Sequence, residues 1–295
     1  MENGKWKINN EIILKKPEWL RVPYYDNDES LVVTELVKNL NLNTVCVEAN
    51  CPNKAECFSK RTATFMILGA NCTRNCTFCN VNHAAPQPVD KDEPVRIANA
   101  VNQLGLKYVV ITSVTRDDLP DGGTAHFAEV IEEIKKVTPG VAVEVLIPDL
   151  TSLDVIIDKK PEVISHNIET VESLYNVVRP EAVYKRSLNV LRSIKDKSKS
   201  ICVKSGLMLG LGETRAEVMN TFDDLLKHGC ELLTIGQYLS PSKAHYPVVE
   251  YIEPQVFAEY EGIAKEKGFR FVKSAPFVRS SYNAGEAFLA TIKGE

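Results

Sequence analysis

Apolar residues along this chain recur with two periods. Short continuous runs at residues 65–68, 108–112, 141–147, 163–168, 201–211 and 232–238 have the form of buried strands. Between them apolar positions return every three or four residues, the mark of a helix with one buried face. Ile97, Val101 and Leu104 make one such face, and Phe127, Val130, Ile131, Ile134 and Val137 make the next. Leu153, Ile156 and Ile157, then Tyr184, Leu188 and Leu191, then Val218, Phe222 and Leu225 continue the series. The boundaries carry helix punctuation. Pro94 opens and Gly105 closes the first helix, Thr214 with Glu217 forms a capping box, and Gly229 stops the last. Six strand–helix alternations predict an α/β fold, with a parallel sheet curled into a partial (β/α)6 barrel of the TIM type. A full barrel needs eight units, so six leave a lateral opening that suits a large, protein-borne substrate.

Extensions flank this barrel. Pro17, Pro23 and the run Asp26-Asn27-Asp28-Glu29 predict an extended, irregular arm over residues 1–29. A helix then starts at Ser30, with Leu31, Val32, Leu36, Val37 and Leu40 on one face, and ends near Asn41. After the sixth strand come a helix over residues 254–267, stopped by Gly268, and a last strand at 269–272. The expected division is an N-terminal extension (1–62), the barrel (63–245) and a C-terminal extension (246–295).

Composition narrows the classes. A balance of 44% hydrophobic and 25% charged residues excludes disorder as the main state. A net charge of −4 without a basic stripe argues against nucleic acid as a partner. No apolar run approaches the ~20 residues of a membrane span, so no membrane partner is expected. The first residues lack the apolar core of a signal peptide, and the expected compartment is the cytoplasm. There, grouped cysteines mean metal or catalysis rather than disulfides.

Of the eight cysteines, Cys202 and Cys230 stand alone and read as small buried hydrophobes; the others form two triplets. Cys72, Cys76 and Cys79, spaced C-x3-C-x2-C, follow the strand at 65–68 and Gly69, on a loop at the strand's carboxyl end, where parallel α/β folds place their sites. Three thiolates suit a cubane iron–sulfur cluster with one iron left open for a substrate or cofactor, since a closed cluster normally takes four. Phe78 would shield such a cluster from water. A zinc knuckle is the alternative. Cys46, Cys51 and Cys57, spaced C-x4-C-x5-C, are too many for a redox pair and one short of a closed site. They suit zinc or a second iron–sulfur cluster.

The C-x3-C-x2-C spacing with an aromatic before the last cysteine resembles the radical S-adenosylmethionine (SAM) superfamily. In that superfamily SAM chelates the open iron, and the reduced cluster cleaves it to a 5′-deoxyadenosyl radical. The two triplets together resemble the lipoyl synthase family. So do Glu48-Ala49-Asn50-Cys51-Pro52-Asn53, the loop from Ser113-Val114-Thr115-Arg116-Asp117-Asp118 to Gly123, His166-Asn167-Ile168-Glu169-Thr170 and Arg279-Ser280-Ser281-Tyr282. The likeness runs from about residue 19 to residue 282, with no departure at a metal-ligand position.

The resemblance implies two 4Fe–4S clusters and SAM. Cys72, Cys76 and Cys79 would hold the radical-forming cluster. Cys46, Cys51 and Cys57 would hold the auxiliary one, with Ser281 as fourth ligand and Ser280 as the alternative register. Polar residues at or just past predicted strand ends include Asn71, Arg116, Asp117, Asn167, Glu169, Lys204, Glu213 and Gln237. In the superfamily such residues hold SAM; position favours Asn167 for the ribose and Glu169 with Arg186 for the amino-acid portion. The implied reaction inserts two sulfur atoms at C6 and C8 of an octanoyl chain carried on a lysine of a lipoyl carrier domain. Those C–H bonds are beyond acid–base chemistry, so the cofactor supplies the reactivity. The auxiliary cluster would give up sulfide, eased by the harder serine oxygen at Ser281. Implied partners are the octanoylated carrier protein, an electron donor such as a ferredoxin or flavodoxin, and a cluster-repair protein. Three alternatives remain: another radical SAM sulfur-inserting enzyme, such as a biotin synthase or methylthiotransferase; a two-cluster electron-transfer protein; and a zinc-dependent interaction module.

Overall fold

The structure, a computed structural model, describes residues 5–8, 11–22, 28–150, 152–286 and 288. The arm expected to be irregular contains an antiparallel ribbon, β1 (Lys5–Ile8) and β2 (Glu11–Leu14), and a 3-10 turn whose Leu20 is buried. Helix α1 (Asp28–Asn39) follows, opening with two acids in its first turn, where the helix dipole favours negative charge. Val33 and Val37 are its buried positions. Leu31 and Val32, expected on the inner face, are exposed, because the i, i+4 pair one position further on meets the core. Then come β3 (Asn43–Thr44), α2 (Val45–Glu48) and α3 (Lys54–Ser59). Thr44 caps α2 by accepting a hydrogen bond from Val47 N–H at 3.3 Å.

The strand–helix repeat follows as the periodicity predicts. It runs β4 (Thr64–Ile67), α4 (Glu93–Leu104), β5 (Tyr108–Ser113), α5 (Thr124–Val137), β6 (Ala142–Leu146) and α6 (Asp154–Asp158). It continues through β7 (Val163–Ser165), α7 (Tyr175–Val178), α8 (Tyr184–Lys197), β8 (Cys202–Leu209), α9 (Arg215–Lys227) and β9 (Leu232–Gln237). The chain then adds α10 (Pro254–Lys267) and β10 (Phe271–Ser274). The expected cap of α9 is present, Thr214 and Glu217 bonding each other's backbone N–H.

One open sheet takes the order β10-β9-β8-β7-β6-β5-β4-β3. The strands from β4 to β10 are parallel, and β3 pairs antiparallel with β4 through Asn43↔Met66 and Thr44↔Phe65. The barrel therefore carries one parallel strand more than the expected six, because β10 pairs with β9 (Phe271↔Leu232) instead of standing apart. Both extensions thus add an edge strand to the barrel sheet. The strands are buried nearly throughout because helices cover the outside. Phe222 of α9 meets Tyr260 and Phe269 edge-on, at ring centroids 6.0 and 6.1 Å apart.

The gap between the sheet edges β3 and β10 is spanned by side chains. Asn53 Nδ2 donates to the Phe277 carbonyl at 2.7 Å, and Tyr282 OH donates to the Glu56 carboxylate at 3.1 and 3.2 Å. The segment after β10 thereby crosses to the loop that carries the first cysteine triplet.

Candidate metal and cofactor site

The second triplet is launched by a constrained turn. Leu68 has φ +67° and Gly69 φ +92°, a conformation that costs a non-glycine residue about 1–2 kcal/mol. Three contacts hold Leu68 there. Its N–H donates to Glu93 Oε2 at 2.9 Å, its carbonyl accepts from Arg116 Nη1 at 3.1 Å, and its side chain fills the space left by Gly123. Glu93 is itself buried against His126 Nε2 at 2.7 Å, and Arg116 is locked bidentately on Asp118 at 2.8 Å.

From this turn the loop carrying Cys72, Cys76 and Cys79 lies across the barrel rim. Cys72 N–H donates to the Asn82 carbonyl (2.8 Å), Thr73 N–H to the Thr115 carbonyl (3.1 Å) and Thr77 N–H to the Val178 carbonyl (3.1 Å). Thr115 N–H points at Cys72 Sγ at 3.3 Å, the kind of N–H···S contact that tunes a cluster's potential. Arg74, between two cysteines, reaches down into the barrel. It forks onto both oxygens of Asp117 at 2.9 Å and bonds Asp149, whose Oδ1 accepts from Ser187 at 3.3 Å and lies 3.2 Å from His166 Nε2. Burial alone would raise the Asp149 carboxyl, but His166, Arg179 and Arg74 around it outweigh that and hold it well below the usual carboxylate range.

The first triplet is built differently. Cys46 lies on α2, Cys51 on the connection and Cys57 on α3. Cys46 is buried beside Thr64 at the start of β4, and Cys51 and Cys57 are half-buried. Asn80 Nδ2 donates to the Glu48 carbonyl at 2.9 Å and so joins the two cysteine loops.

All six of these cysteines line one cavity of about 1040 Å3. It lies above the roughly 300–1,000 Å3 of ordinary ligand pockets. Its wall includes the inward face of β4 and β5 (Thr64, Met66, Val110 and Thr112) together with Leu207 of β8. No disulfide joins the cysteines; all are free thiols. Burial, then repulsion from Cys46 and Cys51, pushes Cys57 up to about 12. Burial, joined by Cys76 and Cys72, pushes Cys79 up to about 12. Burial pushes Cys46 up to about 11, and it raises Cys76 less because Arg179 stands beside it. Among the described residues no three of these side chains gather tightly enough to hold a single metal ion, whereas a cubane cluster takes thiolates spread along a loop. Such a donor set fits a metal–sulfur cluster, which would take them as thiolates.

The strand-end polar residues divide. Asn167, Glu169, Ser280 and Ser281 line the cavity. Glu169 has φ +65° and accepts from Asn167 Nδ2 at 3.0 Å; burial raises its carboxyl, with Arg179 acting against it. The others serve the scaffold. Asn71 pairs with Asn82 (2.9 Å), and Arg116 and Asp117 hold the cysteine loop. Lys204 lies inside the barrel on Glu144 at 2.8 and 3.1 Å, and Glu213 takes the N–H groups of Gly210 and Leu211. Gln237 does both: it lines the cavity and ties β9 to Glu250 and Ile252. Arg186 is exposed on α8 and does not line the cavity; Arg179, one residue before Pro180, does line it, as do Arg61 and Arg279. Arg179 Nη1 donates to Tyr175 OH (2.8 Å) and the Asn167 carbonyl (3.1 Å), while its buried Nε has no partner among the described residues. The one sequence signal for it is an arginine followed by a helix-breaking proline in a connection. His245 and Tyr246 were also missed. His245 Nε2 lies 3.1 Å from the Cys79 carbonyl, and Tyr246 N–H donates to the Thr77 carbonyl at 2.8 Å, so this loop braces the triplet. Cys230 is buried as expected, whereas Cys202 is half-buried.

A parallel partial barrel with three cysteines on the loop after its first parallel strand defines a radical SAM enzyme, and residues 66–225 match the radical SAM superfamily. Among solved structures the chain is similar in fold to methylornithine synthase (TM-score 0.55, 13% identity, 89% of this chain and 80% of that one). It is also similar to the FeFe-hydrogenase maturase from Carboxydothermus hydrogenoformans (TM-score 0.58, 16% identity, 90% and 63%). The lipoyl synthase of Alkaliphilus metalliredigens is 53% identical over 279 residues, 93% of this chain and 96% of that protein. That of Caldicellulosiruptor bescii is 56% identical over 275 residues, 92% and 94%. The chain belongs to the lipoyl synthase family, enzymes of the radical SAM sulfur-insertion type. No helix among the described residues is long and apolar enough to cross a membrane.

Proposed function

We propose that this enzyme inserts sulfur at C6 and C8 of an octanoyl chain on a lysine of a lipoyl carrier domain. The observation that carries the reading is the shared cavity, with a cysteine triplet at each of two loops and an apolar wall beside them. Cys72, Cys76 and Cys79 hold a 4Fe–4S cluster together with SAM, and Cys46, Cys51, Cys57 and Ser281 hold a second. When bound, the first cluster and SAM supply the radical that removes hydrogen from carbon, and the second supplies sulfur.

The protein's own groups position and exclude. Asn167 and Glu169 bind the ribose and amino-acid portions of SAM. Arg179, whose buried Nε has no partner among the described residues, takes the part first expected of Arg186. Met66, Val110 and Leu207 hold the octanoyl chain and keep water out. Phe78 packs toward Val178, Leu211 and Tyr238 and shields the SAM-side thiols. Ser281 is favoured over Ser280 as fourth ligand because the Ser280 hydroxyl is spent on Asn167 at 2.9 Å, and no hydrogen bond engages the Ser281 hydroxyl among the described residues. Partners of matching chemistry are an octanoylated carrier domain, a low-potential donor such as a ferredoxin or flavodoxin, and a cluster-repair protein. Six thiols that must stay reduced favour the cytoplasm.

The test is anaerobic. Protein reconstituted with iron and sulfide receives dithionite, SAM and an octanoyl-lysyl peptide, and products are followed by mass spectrometry. Two sulfurs gained on the peptide, with 5′-deoxyadenosine and methionine, are the expected result. Deoxyadenosine without sulfur on the peptide would overturn the substrate assignment, and no SAM cleavage by iron-loaded protein would overturn the whole reading.

A further inference from the structure

We propose that Ser280 is a positioning residue that couples the two halves of the cavity, so that a ligand on Asn167 and Glu169 governs the placement of Ser281. This rests on the assignment of Asn167 and Glu169 to SAM and of Ser281 to the auxiliary cluster. The C-terminal segment is anchored on both sides of the serine pair. Before it, the Phe277 carbonyl accepts from Asn53, and the Val278 carbonyl lies where a Cβ on Gly236 would be 2.0 Å away. After it, Tyr282 OH bonds Glu56, next to Cys57. Both side-chain anchors therefore lead to the auxiliary triplet. Between them, Ser280 Oγ donates to Asn167 Oδ1 across 113 residues of sequence. Among the described residues this bond ties the serine pair to the SAM side.

Asn167 is well suited to transmit occupancy. Its carboxamide is committed at both ends, Oδ1 to Ser280 and Nδ2 to Glu169 Oε1. It also lies tight against Gly206 of β8, where a Cβ would sit 2.9 Å from Oδ1. It has no room to move toward the sheet. A ligand hydroxyl donating to Oδ1 competes with Ser280, and a ligand accepting from Nδ2 draws the amide away from Glu169. Either event changes the bond that holds Ser280, and the adjacent Ser281 moves with it between two fixed anchors. Ser281 would then loosen from the auxiliary cluster only while SAM is present, which protects that cluster from idle loss of sulfur.

The test is hydrogen–deuterium exchange over residues 275–284 in the reconstituted full-length protein, with and without SAM. Equilibrium dialysis of SAM runs on the same samples. In wild type, SAM is expected to change exchange there by about fivefold, the size of one hydrogen bond. Ser280→Ala is expected to bind SAM and keep its iron but to exchange at one rate with or without SAM, and to release more 5′-deoxyadenosine per sulfur inserted. Ser280→Thr, which keeps the hydroxyl, is expected to restore the SAM response. A purely structural bond would alter the rate but not its dependence on SAM. Wild-type exchange that ignores bound SAM overturns the coupling, as does a SAM response that survives in Ser280→Ala. Should that variant lose its iron, the wild-type and Ser280→Thr measurements still decide. Failure of wild type to bind SAM overturns the site assignment and the coupling with it, an outcome the dialysis identifies directly.

Discussion

The two cysteine regions are held in opposite ways. The second triplet, Cys72, Cys76 and Cys79, rests on buried, charged and mutually bonded groups: Glu93 and Arg116 clamp Leu68, and Arg74 is buried on Asp117 and Asp149. The other triplet lies on two short helices beside an edge strand. It is secured across the sheet opening by neutral or half-exposed contacts, Asn53 to Phe277 and Tyr282 to Glu56. The first arrangement fixes its loop through charged groups buried in the barrel. The second depends on contacts that reach across the sheet opening from the C-terminal segment.

The sharpest way to break this contrast is to remove one thiol from each side. Cys76→Ala is expected to abolish 5′-deoxyadenosine formation, whereas Cys51→Ala keeps it and loses sulfur insertion. Loss of SAM cleavage in Cys51→Ala would show that radical formation itself needs an intact first triplet. Next in size, Arg74→Met takes the arginine from buried Asp149, leaving it His166 and Ser187, and is expected to cost about 3 kcal/mol in urea unfolding. Lys60→Met, which breaks an exposed pair with Glu56, is expected to cost under about 1 kcal/mol. Equal losses would remove the distinction.

Acid sharpens it further. The folded Asp149 carboxyl lies below its unfolded value, so its contribution is complete above roughly pH 4 and is lost as pH falls toward the folded value. Asp149→Asn is expected to make unfolding free energy less dependent on pH below about 4, measured by urea titrations at each pH. An unchanged slope would mean that another carboxylate dominates. A small effect is also expected for Tyr282→Phe. Loss of its bond to Glu56 is worth about 1 kcal/mol and is expected to speed chelator removal of auxiliary iron while SAM cleavage stays as in wild type.

Much of this architecture is legible along the chain because its causes are local. The apolar runs and helical faces place β4 to β9 and their helices, since burial on both faces or on one leaves a direct mark on residue order. The triplets are legible because each groups its three cysteines within a dozen positions. The Ser113–Gly123 loop was equally visible as a motif, yet its role was not. Arg116 and Asp117 turn out to support the cysteine loop through Leu68 and Arg74, partners 48 and 43 residues away.

Other features depended on distance in sequence. Arg179 and Arg186 are seven positions apart and chemically identical. Which one faces the cavity follows from Pro180 ending one segment and α8 turning its Arg186 face to water. The choice between Ser280 and Ser281 rests on Asn167, brought to Ser280 by the return of the C-terminal segment over β9. That β10 joins the barrel sheet depends on backbone pairing with β9, which leaves no trace in side-chain pattern. Residue order thus determined the repeat, the ligand spacings and the family, all of which act over a few neighbouring positions. Folding alone decided the partners of buried charges and the joining of both cysteine triplets in one cavity, because those depend on contacts between segments far apart in the chain.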